Sequence, residues 1–334
     1  MLKIGIVGAG RMGLAHAGNI VNLKEAALSA VYDIDPAKSK AFAEKYPQVK
    51  IVDSLEALVS DSNVDLIAIT SPTCCHRDGI VAAMKTGKPI FCEKPLCRTR
   101  KELEELAPLL RSYKNLFAVG FVRRYSASFM MFEKLIKEGK IGEILGGSVT
   151  SLFGGFSREW GDWFTDYQKS GGVTLDMLAH HCDLLNGLLG KPQKVYAQSF
   201  LMDRSAEKPR DYVASTVTFK NNVICTMESS WLRFGPNGIN MIIYGEKGAL
   251  KMEESGLTFY DKGGVETKIE VDEGILGPLQ DSISGGMYAT EMAKIVDCAI
   301  HGGEPYAGRE EAINAMEFGL AMMESAEKGI VSIL

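Results

Sequence analysis

The amino-acid sequence predicts an α/β protein of two domains: a doubly wound parallel sheet over residues 1–121 and a second α/β domain with antiparallel strands over residues 122–334. The first observation is the length of 334 residues, which corresponds to two domains of ordinary size. The second is a regular alternation of short apolar runs and amphipathic stretches in the first third of the chain. The third is a change after about Gly120, where strand-like segments joined by short turns become frequent.

Six buried strands are predicted in the first domain, because six short apolar runs are separated by amphipathic segments. They cover residues 3–7, 27–32, 49–52, 66–70, 89–92 and 117–119. One helix is expected after Asp35-Pro36, since aspartate is a favourable N-cap and proline suits the first helical position. Another is expected after Thr99, with glutamates near its first turns.

The second domain is expected to combine a long series of strands with a few helices. An amphipathic stretch over 126–137 ends at Gly139, and a further helix is expected over 173–189. Strand-like segments cover residues 143–153, 194–203, 212–219, 222–231, 239–244, 248–252 and 256–270. Two helices, over 289–301 and 309–328, are expected near the end of the chain.

The charge balance argues against nucleic acid and membrane partners. The chain has 37 basic and 42 acidic side chains, for a formal net charge of −5, without long runs of one sign. No segment reaches the ~20 uninterrupted apolar residues of a membrane-spanning helix. The first residues lack the pattern of a signal peptide. We therefore expect a cytoplasmic protein.

The seven cysteines indicate free thiols rather than a metal site. They are scattered along the chain without the paired CxxC spacing of a structural zinc site. Cys74, Cys75 and His76 are consecutive, but adjacent side chains diverge and no second group of ligands follows at a suitable spacing. We expect no metal ion.

A Gly-x-Gly-x-x-Gly motif lies where the first strand ends and a helix should begin. Gly8 suits the tight turn, Gly10 lets the backbone approach a pyrophosphate, and Gly13 lets the helix pack close to the strand. The alternative is a glycine-rich turn without a ligand. The strand-turn-helix context favours a dinucleotide site, with Arg11 and Met12 inside the motif.

Asp33 strengthens this interpretation, because it lies at the end of the second strand, 20 residues after Gly13. A carboxylate there can accept hydrogen bonds from the adenosine ribose and repels a 2′-phosphate. We therefore expect NAD as the cofactor rather than NADP. The nearby cations Arg11 and Lys38 keep NADP open as an alternative.

Two further segments contain candidate catalytic residues. Lys94 follows the fifth strand, at the carboxyl edge where parallel sheets bind ligands, and can either stabilise negative charge on a substrate oxygen or be a solvated loop lysine. Asp176, His180 and Asp183 have the spacing of one helical face. That face can be an acid/base site or a solvated polar stripe, and its apolar neighbours favour the site.

Together these motifs resemble the Gfo/Idh/MocA group of NAD(P)-dependent oxidoreductases, and most of all its inositol dehydrogenases. The resemblance rests on the glycine motif, Ser71-Pro72…His76, Glu93-Lys94-Pro95, residues 120–125, the Gly171-Gly172…Asp176…His180 segment and residues 302–308. It implies a Rossmann domain followed by an α/β domain with a large, mostly antiparallel, open-faced sheet. In many members that open face builds a homodimer or homotetramer.

The resemblance also implies residue roles. Lys94 binds the reacting oxygen, His180 is the acid/base, Asp176 assists both, and a cis bond before Pro95 aims Lys94. Ser71, Pro72, His76 and Glu93 join the glycine motif, Asp33 and Lys94 in binding the cofactor. Arg124, Trp163, Asp176, His180 and Asp183 are expected to contact the substrate.

The activity implied is hydride transfer between NAD and a secondary hydroxyl of a cyclic polyol or sugar resembling inositol. Other substrates within the family remain open, such as a dihydrodiol, an amino-sugar nucleotide or a 1,5-anhydro-keto sugar. A regulator that binds nucleotide and sugar without catalysis is a further alternative. The presence of both Lys94 and His180 favours the enzyme.

Overall fold

The first sheet is parallel and lies at the start of the chain. The computed structural model describes residues 1–153, 163–200, 211–231, 238–253, 256–271 and 286–334. Six strands form this sheet: β1 (Leu2–Val7), β2 (Ala26–Tyr32), β3 (Lys50–Ile51), β4 (Leu66–Ile69), β5 (Ile90–Cys92) and β6 (Phe117–Val119). Their order is β3-β2-β1-β4-β5-β6, and each neighbouring pair is parallel. The predicted doubly wound sheet is confirmed, and its order reverses between β1 and β4.

Helices connect these strands: α1 (Arg11–Ile20), α2 (Pro36–Lys45), α3 (Leu55–Ser60), α4 (Thr73–Met84) and α5 (Arg100–Ser112). The predicted N-cap of α2 is present. Asp35 accepts a hydrogen bond from the Ala37 N–H at 3.0 Å at the start of α2. Thr99 and Glu102 form a reciprocal capping box at the start of α5.

The second sheet has nine strands and is mostly antiparallel, as expected. In chain order its segment contains α6 (Ala127–Lys137), β7 (Ile144–Leu152), α7 (Tyr167–Ser170), α8 (Gly172–Asp176), α9 (Leu178–Leu189), β8 (Pro192–Phe200), β9 (Tyr212–Phe219), β10 (Ile224–Ser230), β11 (Gly238–Gly245), β12 (Gly248–Glu253), β13 (Gly256–Asp261) and β14 (Glu266–Ile269). The chain ends with α10 (Gly286–His301), α11 (Arg309–Lys328) and β15 (Ser332–Ile333). The strand order is β14-β13-β12-β11-β7-β10-β9-β8-β15. Its one parallel pair in the described ranges joins β7 to β10.

The two faces of this sheet differ in character. Inward positions such as Val217 and Met241 are buried. The register pairs Tyr244 with Gly146 and Gly146 with Ile224, so Tyr244 and Ile224 share the opposite face. That outward face exposes apolar side chains between 40% and 53%, at Tyr196, Phe200, Ile224 and Tyr244.

Two predicted elements are divided in the structure. The expected strand over 256–270 is a hairpin of β13 and β14, because the Asp261 carboxylate accepts hydrogen bonds from the Gly263 and Val265 N–H groups and closes a turn. The expected helix over 173–189 is interrupted at Met177, between α8 and α9. No helix in the described ranges is both long and apolar enough to cross a bilayer.

The described chain forms two compact units that are not contiguous in sequence. The first contains residues 1–125 together with 286–313, and the second contains the described residues of 126–271 together with 314–334. Helix α10 belongs to the first unit because Met292, Ile295 and Val296 are part of the same buried core as the strands of the first sheet. The predicted boundary at residue 121 assigns every later residue to the second domain, whereas residues 286–313 belong to the first unit.

Candidate active site

Two glycines of the motif after β1 lie so close to neighbouring backbone atoms that neither position has room for a side chain. Gly8 has a φ of +100°, and a Cβ there would lie 2.5 Å from the Ser71 nitrogen. A Cβ at Gly13 would lie 2.1 Å from the Gly8 carbonyl oxygen. Both glycines are therefore required by close backbone contacts between β1, α1 and the loop after β4.

The same turn fits a dinucleotide phosphate group. Space is open at Gly10, where a Cβ would meet no atom within 4 Å, and no side chain caps α1 at this residue. The first N–H groups of α1 lack intrahelical partners and attract anions. Arg11 is exposed and Met12 is half-buried at the start of the helix.

Asp33 lies next to this turn at the end of β2. Its Oδ2 accepts a hydrogen bond from the Ala9 N–H at 2.7 Å, and its Oδ1 accepts one from the Asp35 N–H at 2.9 Å. These two bonds orient the half-buried carboxylate beside the glycine turn. The residues present therefore fit an adenosine ribose at this edge of the sheet.

The loop after β4 supplies Ser71 and Pro72, and the helix that follows it supplies His76. Pro72 precedes the first residue of α4, and His76 is buried one turn into that helix. The His76 ring contacts two carbonyl oxygens, with Nε2 2.8 Å from Ser71 and Nδ1 2.8 Å from Pro95. Burial lowers the pKa of His76, and the two carbonyl contacts oppose that effect.

The loop that carries Lys94 follows β5 and is fixed by buried polar contacts. Glu93 is 5% exposed, and its Oε1 lies 2.7 Å from Nε2 of the buried His16. Its Oε2 accepts a hydrogen bond from the Lys94 N–H at 3.1 Å. A Cβ at Gly120 would lie 3.0 Å from this Oε2, so the glycine leaves room for the carboxylate. The Lys94–Pro95 bond is cis, as the resemblance implies.

A second buried carboxyl group near Glu93 was not predicted from the sequence. Glu291 on α10 is fully buried, and neither of its oxygens has a hydrogen-bond partner among the described residues. Burial raises the pKa of Glu291 well above its usual range, and the neighbouring Glu93 adds to the rise. The nearby Tyr288 also has a raised pKa, first because of burial and then because of Glu93. The available signal was an acidic residue beside the apolar Met292 and Ile295 of a helix.

In the second unit, the predicted acid/base residues occupy adjoining helices. Asp176 is the last residue of α8, whereas His180 and Asp183 lie on α9. His180 is 6% exposed and Asp183 is 1% exposed, so the alternative of a solvated polar stripe does not describe them. Asp176 accepts a hydrogen bond from the Trp231 indole N–H at 3.0 Å.

The Trp231 ring belongs to a cluster of three aromatic side chains. The centroid of Phe164 lies 4.9 Å from that of Trp231 and 5.6 Å from that of Trp163. Trp163, an expected substrate contact, is thus linked through Phe164 to the partner of Asp176. Residues 154–162, which precede it in the chain, lie outside the described ranges. Arg124 belongs to the first unit, in the 3-10 helix Val122–Tyr125.

The cysteines are all free thiols. Cys74 and Cys75 have their sulfur atoms 3.9 Å apart at the start of α4, while both nitrogens of His76 contact backbone carbonyls. Within the ranges that the structure describes, no group of three or more His, Cys, Asp or Glu side chains is arranged to bind a metal ion.

The strand order, the glycine turn and Asp33 together define a dinucleotide-binding domain of the Rossmann type. Residues 2–121 match an oxidoreductase family with an NAD-binding Rossmann fold, and residues 129–251 match the C-terminal domain of the same GFO/IDH/MocA family. The chain belongs to the GFO/IDH/MocA family of oxidoreductases, and its first unit carries the NAD-binding domain.

Curated relatives extend over almost the whole chain. It is 29% identical to the inositol 2-dehydrogenase of Rhizobium meliloti, with 99% of each chain covered. It is 26% identical to the myo-inositol 2-dehydrogenase of Thermotoga maritima, over 98% of this chain and 97% of the relative. These similarities, together with the family, identify a dehydrogenase that acts on CH–OH groups.

A solved structure shares the fold at lower identity. A levoglucosan dehydrogenase in complex with NADH and levoglucosan aligns with a TM-score of 0.88 at 20% identity, covering 100% of this chain and 99% of that one. The likeness supports the architecture of a parallel sheet followed by a mostly antiparallel one.

The buried Glu291 generates a pH-dependent prediction. The pKa of this carboxyl group is raised above its ordinary value of 4.5 in the folded state. Its contribution to the free energy of unfolding is therefore fully present below pH 4.5 and is lost as the pH rises through the folded-state pKa. The side chain of Glu291→Gln cannot ionise. At pH 8 we therefore expect its free energy of unfolding, measured by urea denaturation, to exceed that of the wild type by about 1 kcal/mol or more. The difference should shrink as the pH approaches 5.

Glu104→Gln is the matched control, because Glu104 is exposed on α5 in the same unit. It should leave the urea midpoint unchanged at both pH values. Parallel pH profiles of the wild type and Glu291→Gln would contradict the assignment of a neutral, buried Glu291.

Proposed function

We propose that this enzyme transfers a hydride between NAD and a secondary hydroxyl of a cyclic polyol or sugar resembling inositol. In this proposal Lys94 and His180 both act on the reacting oxygen, and Asp176 assists them. Support comes from the names of the two full-length relatives, an inositol 2-dehydrogenase and a myo-inositol 2-dehydrogenase. We also propose the glycine motif, Asp33 and the loops after β4 and β5 as the cofactor-binding residues.

The observation that carries the proposal is the burial of titratable side chains on α9. His180 and Asp183 are almost completely buried, beside the apolar Leu184 and Leu185. Burying such groups costs free energy unless their hydrogen bonds are satisfied, and buried titratable side chains are frequent at functional sites. Histidine is the side chain best suited to exchange a hydroxyl proton near neutral pH.

The roles of the side chains follow from their chemistry. When bound, the nicotinamide supplies the hydride acceptor for alcohol oxidation. His180 accepts the proton of the substrate hydroxyl as general base, and Lys94 stabilises the negative charge that develops on that oxygen. Asp176, whose Oδ2 is bonded to the Trp231 N–H, supplies a carboxylate near the residues that bind the polyol.

Removing either catalytic side chain should abolish most of the turnover. We expect Lys94→Ala and His180→Ala each to lower kcat by about 100-fold or more, because general acid–base catalysis typically contributes 10² to 10⁴. NADH binding, followed by the fluorescence of the reduced nicotinamide, should survive in both variants, because the glycine motif and Asp33 are unchanged. A suitable assay measures NAD reduction with myo-inositol and other inositols.

Lys101→Ala and His301→Ala are the controls, since both residues are exposed on helices of the first unit. They should turn over like the wild type. Near-normal turnover of Lys94→Ala or His180→Ala would overturn the catalytic assignment. If inositols, hexoses, dihydrodiols, amino-sugar nucleotides and anhydro-keto sugars all fail to react, the proposed activity is wrong.

The carboxylate of Asp33 should make NAD the better cofactor. A 2′-phosphate would place negative charge beside this oriented carboxylate, so we expect kcat/KM to be higher with NAD than with NADP. The ratio of kcat/KM with NAD to kcat/KM with NADP should fall by about tenfold in Asp33→Asn, which corresponds to ~1.4 kcal/mol. Initial-rate kinetics with both cofactors provide the measurement.

Asp35→Asn serves as the comparison, because it removes a charge two residues away while asparagine preserves the N-cap of α2. Its ratio should stay close to that of the wild type. A higher kcat/KM with NADP than with NAD in the unmodified enzyme would refute the preference.

We also propose that the outward face of the second sheet forms a homodimer or homotetramer. Four large apolar side chains lie on this face, and such exposed apolar patches commonly mark protein interfaces. Tyr244→Lys combined with Ile224→Lys should lower the mass measured by light scattering to that of a monomer. Val265→Lys, at an exposed hairpin residue, should not. A monomeric wild type would contradict the proposal.

A further inference from the structure

His76 lies between two loops of the first unit and contacts the backbone of both. Its side chain is 1% exposed, so no bulk water reaches its ring. Nε2 lies 2.8 Å from the carbonyl oxygen of Ser71, in the loop after β4. Nδ1 lies 2.8 Å from the carbonyl oxygen of Pro95, in the loop after β5. The two ring nitrogens therefore join two neighbouring loops at the carboxyl edge of the sheet.

Both partners of the ring can only accept hydrogen bonds. A neutral imidazole has one N–H and can satisfy one carbonyl, whereas the imidazolium can satisfy both. Burial disfavours the cation, while the contacts with the carbonyls and the negative charge of Glu93 favour it. The positive charge of Lys94 disfavours the cation and lowers the pKa of His76. The Pro95 carbonyl receives a hydrogen bond from the imidazolium and from the neutral tautomer that carries its proton on Nδ1.

The Pro95 carbonyl matters because of its place in the chain. Proline has no N–H, so this oxygen is the only backbone hydrogen-bonding group that Pro95 offers. On the other side of Lys94, the Glu93 N–H donates to the Ile69 carbonyl at 2.9 Å, and the Lys94 N–H donates to Glu93 Oε2. The backbone is thus fixed before Lys94 by the sheet and by Glu93. After Lys94 it is fixed by the ring of His76.

We propose that His76 is a positioning residue for Lys94, and that its Nδ1–H donates to the Pro95 carbonyl to fix the loop from which the lysine projects. This proposal rests on the role of Lys94 given above. It differs from the sequence-based expectation, in which His76 itself contacts the cofactor. With both ring nitrogens facing backbone carbonyls, the ring acts on the reaction through the loop.

Two amide substitutions separate the two contacts of the ring. The amide nitrogen of asparagine is as many bonds from Cβ as Nδ1, and that of glutamine is as many bonds from Cβ as Nε2. His76→Asn therefore retains a donor toward Pro95, and His76→Gln retains one toward Ser71. His76→Phe fills the volume and retains neither donor.

We expect His76→Gln and His76→Phe to lower kcat by about tenfold or more, with NADH affinity changed by less than about threefold. His76→Asn should restore kcat to within about threefold of the wild type. The melting temperature of each variant verifies folding. Equal loss in the Asn and Gln variants, or better rescue by Gln, would overturn the proposal, because the Pro95 contact would then not set the rate.

A double-mutant cycle separates this proposal from the one on which it rests. If His76 acts through Lys94, His76→Gln should lower the residual turnover of Lys94→Ala by less than about twofold. A full tenfold loss in that background would show that His76 acts elsewhere. Near-normal turnover of Lys94→Ala alone would instead refute the role of the lysine. A severely impaired Lys94→Ala enzyme with an unimpaired His76→Gln enzyme would refute only the positioning role.

Discussion

The carboxyl edge of the first sheet depends on one steric constraint: the turn after β1 and the loop after β4 approach so closely that no side chain fits between them. Gly8 faces the Ser71 backbone, and Gly13 faces the Gly8 carbonyl. The Thr70 hydroxyl donates to that same carbonyl at 2.7 Å, which closes the contact. β1 and β4 are neighbours at the reversal of strand order, and α1 and α4 both begin within a few residues of this contact.

Buried polar groups then determine the conformation of the loops that this contact brings together. Glu93 uses one oxygen for His16 and the other for the Lys94 N–H, while His76 reaches the backbone on the far side. In a low-dielectric interior such bonds are stronger than at the surface, and an unmatched group is more costly. The backbone on both sides of Lys94 is therefore held by side chains that are buried.

The sequence was sufficient to predict the parallel sheet, the glycine turn and the Asp35 cap, because these depend on local periodicity and on short motifs. It was not sufficient where distant segments decide the outcome. Nothing local to residues 286–301 shows that α10 packs with strands formed some 200 residues earlier. The burial of Glu291 beside Glu93 follows from that packing, so it was missed as well.

In two places the apolar periodicity predicts one continuous element where the structure has two. The apolar run over 256–270 has the composition of a single strand, but the Asp261 side chain binds two following N–H groups and turns the chain back. The segment over 173–189 has a helical pattern throughout, yet it divides at Met177 and leaves Asp176 at the end of a separate short helix. A pattern of apolar residues indicates which face is buried, but it does not show where one element becomes two.

The return of α10 to the first unit has a consequence for the order in which the protein can be completed. During synthesis, the strands of the first sheet leave the ribosome well before Met292, Ile295 and Val296, which complete their core. The apolar side of α1 and its neighbours therefore stays exposed to water until residues 292–296 have been synthesised. The strands of the cofactor-binding unit are made before those of the second sheet, but their core is completed only after β14 has been made.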